Sequence, residues 1–361
     1  MIIDRVDVTL LRVPFADPPK IGFIAVDNRE LVVVEITTSS GLTGMGYLLP
    51  LGGGLATIGR CIEEMIAPRL IGRDATEIEG IGAELWKSTY MVGRMGVTQF
   101  AISAIDIALW DLVGKHAGLP LHRLWGSSRT EIPAYGSGCW RGLGGAGMIE
   151  KAETYVGQGF GAIKMQVGHL YDRHQDARHV ADMRAALGPE VEILVDANMA
   201  FTTDDAIHLG RALGESDIYW LEEPVVAEDF AGYRRVAQAL DMRIVGGENH
   251  FTRYDLRPLI EAPEIPILQP DVMRGGLTEM RKIAAMAEAH GKTLAPHLFH
   301  ELMVQVLASI PNAHWAEYLD FLDDLWVEPV LPQAGLLTVP ERPGHGLAFK
   351  PDVLKSYVVD G

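Results

Sequence analysis

Three acidic residues close three successive apolar runs at a constant interval. Asp196 follows residues 191–195, Glu222 follows 218–221 and Glu248 follows 243–247, each acid 26 positions after the last. One strand, one helix and two short loops consume about that length, so the interval predicts a βα repeat with one carboxylate at the same end of every strand. Oxygen ligands converging from three neighbouring parallel strands make a cage for a hard divalent cation. No Cys or His stands at these positions, which favours Mg²⁺, with Mn²⁺ second, over Zn²⁺.

The register runs past the acids. Asp271 follows 267–270, and His297 follows 293–296, again 26 positions on. Upstream, the run 162–167 carries Lys164 and Gln166, which share one side of a strand because side chains two apart point the same way. Downstream, Glu317 closes 314–316. Seven or eight such strands with polar residues at one rim predict a (β/α)-barrel, whose active site lies at the C-terminal ends of its strands.

The region before position 131 has another rhythm. Residues 1–12 and 31–37 read as strands and 56–117 as mainly helical, so an α+β unit precedes the repeats. Two loops interrupt it, one at 14–30 containing Lys20, the other at 47–54 ending in three glycines. No linker divides the parts, and the tail after position 325 is expected to pack back on the N-terminal unit.

Composition narrows the class. With 361 residues and 48% apolar content, the chain can bury the core of a barrel and of a smaller domain beside it. A formal net charge of −17 argues against nucleic acid and anionic membrane surfaces as partners. A small anionic substrate stays compatible, because a bound cation and local Lys or Arg can invert the field inside a site. Cys61 and Cys139 form no disulfide framework, the N-terminus has no signal-like stretch and no run approaches a membrane span, so cytoplasmic residence is expected.

Taken together, Asp196-Ala-Asn198, Trp220-Leu-Glu222-Glu223-Pro224, Gly247-Glu248-Asn249, Gln269-Pro-Asp271 with Gly275-Gly276, and Pro296-His297-Leu298-Phe299 resemble the mandelate racemase subgroup of the enolase superfamily. The stretch from Ala101 to Lys115, with Pro120-Leu121 and Leu124-Trp125-Gly126, is similar to that family's N-terminal signature, and Pro340 to Gly346 to its C-terminal return. The likeness covers nearly the whole chain. It implies a (β/α)7β TIM-like barrel at 129–324, an N-terminal α+β capping domain at 1–128 with the two early loops as lids, and a segment at 325–361 returning to the cap. It further implies that Asp196, Glu222 and Glu248 bind Mg²⁺ and that His297 is the general base, its tautomer fixed by Asp271. A protonated Glu317 would donate to the substrate carboxylate, with Lys164 as a cation beside it. A homo-oligomer, dimer to octamer, is also implied.

One position departs from the pattern. Members with two-faced chemistry resemble each other in a Lys-x-Lys on this strand, the second Lys being the base opposite the His. Here the strand reads Lys164-Met165-Gln166, and a neutral amide accepts no proton at any useful pH. The expected chemistry is therefore one-sided. His297 takes the proton alpha to a carboxylate and a beta hydroxyl leaves, dehydrating an aldonic or aldaric sugar acid to a 2-keto-3-deoxy acid in a hydro-lyase reaction. The alternatives are a racemase or epimerase of a 2-hydroxy acid with Lys164 as second base, and a non-catalytic sugar-acid binder of the same fold. A metal-dependent hydrolase is disfavoured, since no His-x-His follows the first barrel strand.

Further candidates for substrate contact are Gln166, Ser137, Asn198, Lys20, Tyr90 and Arg94, the last two reaching down from the cap. Each has a plain alternative as a rim residue, turn former or surface side chain. His169, His174 and His179 keep no metal-ligand spacing with the acids and read as surface residues.

Overall fold

In the computed structural model, which describes residues 1–360, runs rich in Val, Ile and Thr pair early into an antiparallel meander. Its strands are β1 (Ile3–Pro14), β2 (Asn28–Thr38) and β3 (Thr43–Leu48), in that order. Val8 faces Val34 and Leu10 faces Val32 across the first pair. Helices α1 (Leu55–Cys61), α2 (Ile78–Ser88) and α3 (Val97–Ala117) follow, and α3 lies against β2 and β3. Contrary to the expectation that no run approaches a membrane span, α3 is long and apolar enough to cross a bilayer. Its composition has a simpler cause: Ile102, Ala104, Ile105, Ile107, Ala108 and Leu109, which spread over more than half of the helix circumference, are all buried, so protein rather than lipid surrounds it.

After a single turn, α4 (Leu121–Leu124), strands and helices alternate. The first half comprises β4 (Glu131–Cys139), α5 (Gly144–Gly157), β5 (Ala162–Gln166), α6 (Arg173–Leu187), β6 (Glu192–Asp196), α7 (Thr203–Leu213) and β7 (Trp220–Glu222). The second comprises α8 (Phe230–Ala239), β8 (Arg243–Val245), α9 (Arg253–Glu261), β9 (Ile267–Leu268), α10 (Val272–Ala289), β10 (Thr293–Leu294), α11 (His300–Ser309) and β11 (Ala316–Tyr318). Neighbours from β4 to β8 pair in parallel, and a bridge from Gly246 to Leu268 carries the sheet into β9 and β10. Strand β11 pairs with β4, Glu317 opposite Tyr135, so the sheet closes on itself. This is the expected (β/α)7β barrel with its N-terminal α+β unit.

Side chains fill the barrel rather than leaving a pore. Tyr135, Ala162, Leu194, Trp220, Val245, Ile267 and Ala295 form one buried cluster, one residue from each successive strand or its end. Trp315 packs on it from the last strand, 5.8 Å from Trp220 between ring centres.

The meander unit is fastened to the barrel close to the mouth. Ser103 of α3 donates to the carbonyl of Val272 at 2.7 Å, and Asp106 accepts from the Thr278 backbone N–H at 2.8 Å. Gly276 makes this approach feasible: its φ is +76°, and a Cβ there would stand 2.7 Å from the Asp106 carboxylate. The C-terminal residues tie both parts together. A hairpin of β12 (Pro332–Gln333) and β13 (Leu336–Thr338) pairs with the start of β4, while Val359 donates to Leu10 at 2.9 Å and His345 Nε2 lies 2.8 Å from the Met45 carbonyl.

Candidate active site

The apolar floor of the barrel sets the site by simple periodicity. Two positions beyond each floor residue the chain again faces inward, one layer higher. Tyr135 is thus followed by Ser137, Ala162 by Lys164, Leu194 by Asp196, Trp220 by Glu222, Ala295 by His297 and Trp315 by Glu317. Glu248 comes three after Val245 instead, and the offset is absorbed at Gly247, whose φ is +138°. Beyond the strand ends the backbone is strained: Asn198, Met199, Glu223, Leu298 and Phe299 all have positive φ, a conformation that non-glycine residues keep where the surroundings enforce it.

One ammonium group holds the acidic wall together. Lys164 Nζ lies 2.8 Å from Glu222 Oε1, 2.8 Å from Glu317 Oε1 and 3.8 Å from Asp196 Oδ2. Burial opposes the charge on Lys164, but Glu222 and Glu317 outweigh it and hold the amine well above the ordinary lysine range. Burial pushes Glu222 well up, and the neighbouring Asp196 and Glu248 charges add to the effect against Lys164. Burial also raises Glu248, whose Oε2 has no hydrogen-bond partner. A single ammonium therefore undercompensates the carboxylates, and the donor set is the all-oxygen one that a hard divalent cation takes. As they stand, no three of these side chains draw together as a metal cluster among the described residues. Lys164 Nζ lies among Glu222, Glu317 and Asp196.

His297 is oriented. Its Nδ1 lies 2.9 Å from Asp271 Oδ2, which leaves Nε2 facing the cavity, 3.6 Å from Glu248 Oε2. Asp271 in turn is held by the N–H of Met273, 2.7 Å from Oδ1, as the N-cap of α10. Burial opposes protonation of the imidazole, yet Glu248, the Asp271 bond and Glu317 raise it to about 10.

These groups open into a cavity of about 240 Å³. Ser137, Lys164, Gln166, Asp196, Asn198, Glu248, Asp271, His297 and Glu317 line it from the barrel, together with Arg274. The loops before β2 and after β3 close it with Ile21, Phe23, Ile24, Val26, Leu49 and Leu51.

The fold and this rim can be set beside known proteins. Residues 5–126 match the mandelate racemase / muconate lactonizing enzyme N-terminal domain, and residues 147–353 the enolase C-terminal domain-like model. The chain belongs to the mandelate racemase subgroup of the enolase superfamily. Within that subgroup it is 37% identical over 353 residues to a 3,6-anhydro-alpha-L-galactonate cycloisomerase of Streptomyces coelicolor, covering 96% of this chain and 97% of the relative. It is 33% identical over 350 residues to an arabinonate dehydratase of Saccharolobus solfataricus, covering 92% of each. An L-talarate dehydratase from Polaromonas sp. JS666, crystallised with Mg and L-glucarate, superposes with a TM-score of 0.90 at 31% identity, over 99% of this chain and 98% of the other.

Several subgroup residues behave differently from expectation. Glu317 is not a protonated donor. Burial would raise its carboxyl, but Lys164 and the N–H of Leu298, 2.9 Å from Oε2, lower it to about 2, so it accepts on both oxygens. Lys20 does not line the cavity: its side chain is exposed and only its carbonyl is engaged, by the N–H of Gly142 at 2.8 Å. Tyr90 is 63% exposed on the surface, and the Arg94 guanidinium lies over Trp86 at 3.7 Å. Neither lines the cavity. His169 is exposed as expected, yet it also stacks on Phe23 and lies 2.8 Å from the Asn198 carbonyl.

Four side chains in or beside the site had not been singled out. Glu223 accepts from Asn249 Nδ2 at 2.8 and 3.0 Å, and Arg274 donates to Asn249 Oδ1 at 2.8 Å, so a second polar layer braces the Glu248 loop. Glu223 lies inside one of the motifs that carry the family likeness, and Arg274 directly precedes Gly275-Gly276. Arg141 opens a single 3-10 turn between β4 and α5, and Phe23 sits in the loop before β2; neither segment has a periodicity that marks a side chain as inward.

Proposed function

We propose that this enzyme removes the proton alpha to the carboxylate of a sugar acid and expels the oxygen at the beta carbon, most simply as hydroxide, giving a 2-keto-3-deoxy acid. The observation that carries the reading is a single oriented base. His297 has its Nδ1 on Asp271 and its Nε2 in the cavity, whereas the position where a second base would stand is the amide of Gln166. Lys164 is less suited to that task because Glu317, which is outside the proposed metal ligands, lies 2.8 Å from its Nζ and holds it as a cation. A one-base site favours elimination over inversion at the alpha carbon.

Asp196, Glu222 and Glu248 would hold Mg²⁺, which supplies positive charge where the substrate carboxylate gains electron density. Neutralising Glu248 removes the largest contribution that keeps His297 protonated, and so brings the imidazole toward the range of a working base. His297 Nε2 then takes the alpha proton and returns it to the departing oxygen. Glu317 orients Lys164 as the cation beside the substrate carboxylate, and Ser137 and Asn198 contact the acid from the same rim. The cap loops exclude water.

A second reading has its own support in the cycloisomerase relative. If the beta oxygen belongs to an anhydro ring, the same two proton transfers open that ring, and the product is an isomer of the substrate. Incubation with Mg²⁺ and a panel of aldonates, aldarates and 3,6-anhydro aldonates, read by mass spectrometry and NMR, separates the two. Loss of one water supports dehydration and unchanged mass with a new keto group supports ring opening. Interconversion of C2 epimers without either product sinks both. The exposed run Tyr90, Met91 and Val92 with Met95 also suits burial against a second copy of the chain, in line with a homo-oligomer.

A further inference from the structure

We infer that Gln166 presents its carbonyl oxygen to the substrate, so that the site selects an acid with a hydroxyl donor on the side facing β5, and that Arg141 is the positioning residue that holds this polarity. The acid itself rests on the reading above; the polarity rests on a chain of four side chains.

Asp196 starts the chain. Its Oδ1 accepts from the backbone N–H of Asn198 and its Oδ2 from Asn198 Nδ2, both at 2.9 Å. Asn198 Oδ1 is thereby left as an acceptor, and it takes Arg141 Nη2 at 2.6 Å and Gln166 Nε2 at 3.0 Å. Turning the Asn198 amide over would set an oxygen against a carboxylate and an NH₂ against a guanidinium that has only donors. Turning the Gln166 amide over would set oxygen against oxygen. A carboxylate at one end and a guanidinium at the other therefore lock both amides. Gln166 Oε1 is left buried at the cavity wall with no partner.

An unsatisfied buried carbonyl calls for a donor. The one ammonium lining the cavity among the described residues, Lys164, is engaged by Glu222 and Glu317. A substrate carboxylate would be repelled there, while a sugar hydroxyl satisfies the oxygen directly. Arg141 is wholly buried, makes no ion pair among the described residues, and donates from Nη2 to Asn198 with its guanidinium 5.2 Å from the Phe23 ring centre. A buried guanidinium with no direct ion pair is costly; the charges of Asp196 and Asp176 offset part of that cost, and the bond to Asn198 fixes where the group points.

The test uses the full-length protein with Mg²⁺ and two kinds of readout. Calorimetry compares gluconate and galactonate with their 2-deoxy and 3-deoxy analogues. Wild type is expected to bind a parent acid at least about tenfold tighter than one deoxy analogue. That preference should vanish in Gln166→Leu and shrink in Arg141→Met, with the deoxy acid bound equally by all three. An unchanged preference in Gln166→Leu overturns the proposal. The second readout needs no ligand: with ¹⁵N-glutamine labelling, wild type should show one slowly exchanging Gln166 amide proton whose exchange quickens measurably in Arg141→Met, where Asp196 alone still orients Asn198. Free exchange already in wild type also overturns it. Should Arg141→Met fail to fold, Gln166→Leu and the wild-type spectrum decide. If no aldonate binds wild type, the substrate reading falls while the spectrum still settles the amide orientation.

Discussion

The barrel sends Lys164, Asp196, Glu248, Asp271, Arg274, His297 and Glu317 into the cavity; the cap sends Ile21, Phe23, Ile24, Val26, Leu49, Leu51 and Phe100. No ionisable side chain comes from the cap among the described lining residues. Charged groups must keep fixed distances to act on a developing charge, and strand ends above a packed floor supply that rigidity. Apolar groups need only cover the site, so they can ride on loops. Their effect is to lower the local dielectric, which strengthens every interaction among the barrel charges.

The largest test of this division is removal of the cation. Exhaustive EDTA treatment should reduce turnover to background, with Mg²⁺ restoring it; activity surviving chelation would remove the assigned role of Asp196, Glu222 and Glu248. The metal-free protein also offers a pH signature. Because the imidazole of His297 is raised to about 10, its contribution to stability is complete below the ordinary histidine pKa of about 6.5 and is lost as pH rises through 10. The melting temperature of metal-free protein should therefore fall from pH 7 to 10, and histidine NMR should show His297 titrating lower once Mg²⁺ is added.

Next in size is the proposed base. His297→Asn should lower turnover by about 10³- to 10⁴-fold and stop alpha-proton exchange in D₂O. Exchange at the wild-type rate would move the base elsewhere, with Lys164 the first candidate. Asp271→Asn is a gentler probe, since the amide oxygen can still cap α10 while its NH₂ opposes the imidazole N–H. A loss of about 10- to 100-fold is expected in kcat with little change in the melting temperature. A matching loss of stability would mean that Asp271 serves the helix more than the histidine.

These barrel residues were legible in the sequence for a mechanical reason. A 26-residue repeat and a two-residue strand period place side chains without knowledge of any loop, which is how Asp196, Glu222, His297 and Glu317 were found. Periodicity does not report ionisation. Glu317 was expected to carry a proton because the 2.8 Å contact with Lys164 joins two strands far apart in the sequence. Loops carry no period at all, so Lys20 was expected in the cavity while Phe23, three positions on, is the one that lines it. Arg141 was missed because its partner, Asn198, lies 57 positions away.

A lid substitution gives a smaller effect than any change at the barrel rim. Phe23 stacks on His169 at 4.3 Å and covers Arg141, so Phe23→Ala removes a half-exposed apolar contact worth about 1 kcal/mol. KM should rise by roughly five- to tenfold with kcat within about twofold. A fall in kcat with unchanged KM would show that the cap takes part in the chemistry.

The smallest effects belong to the cap residues that miss the cavity, and they test the comparison most sharply. Lys20 has an exposed side chain, Tyr90 is 63% exposed, and Arg94 is held over Trp86. If the cap contributes only apolar cover, Lys20→Met, Tyr90→Ser and Arg94→Met should each leave kcat/KM within about twofold, the range of surface changes remote from a site. Steady-state kinetics on whichever acid is turned over, repeated at low and high salt, reads this directly. Lys20 is the most demanding case, because its backbone holds the loop beside Phe23 through Gly142. A tenfold, salt-sensitive rise in KM for Lys20→Met alone would mean that its ammonium swings over the mouth once an anion is bound. The cap would then supply charge as well as cover, and the division between the two regions would fail at that point.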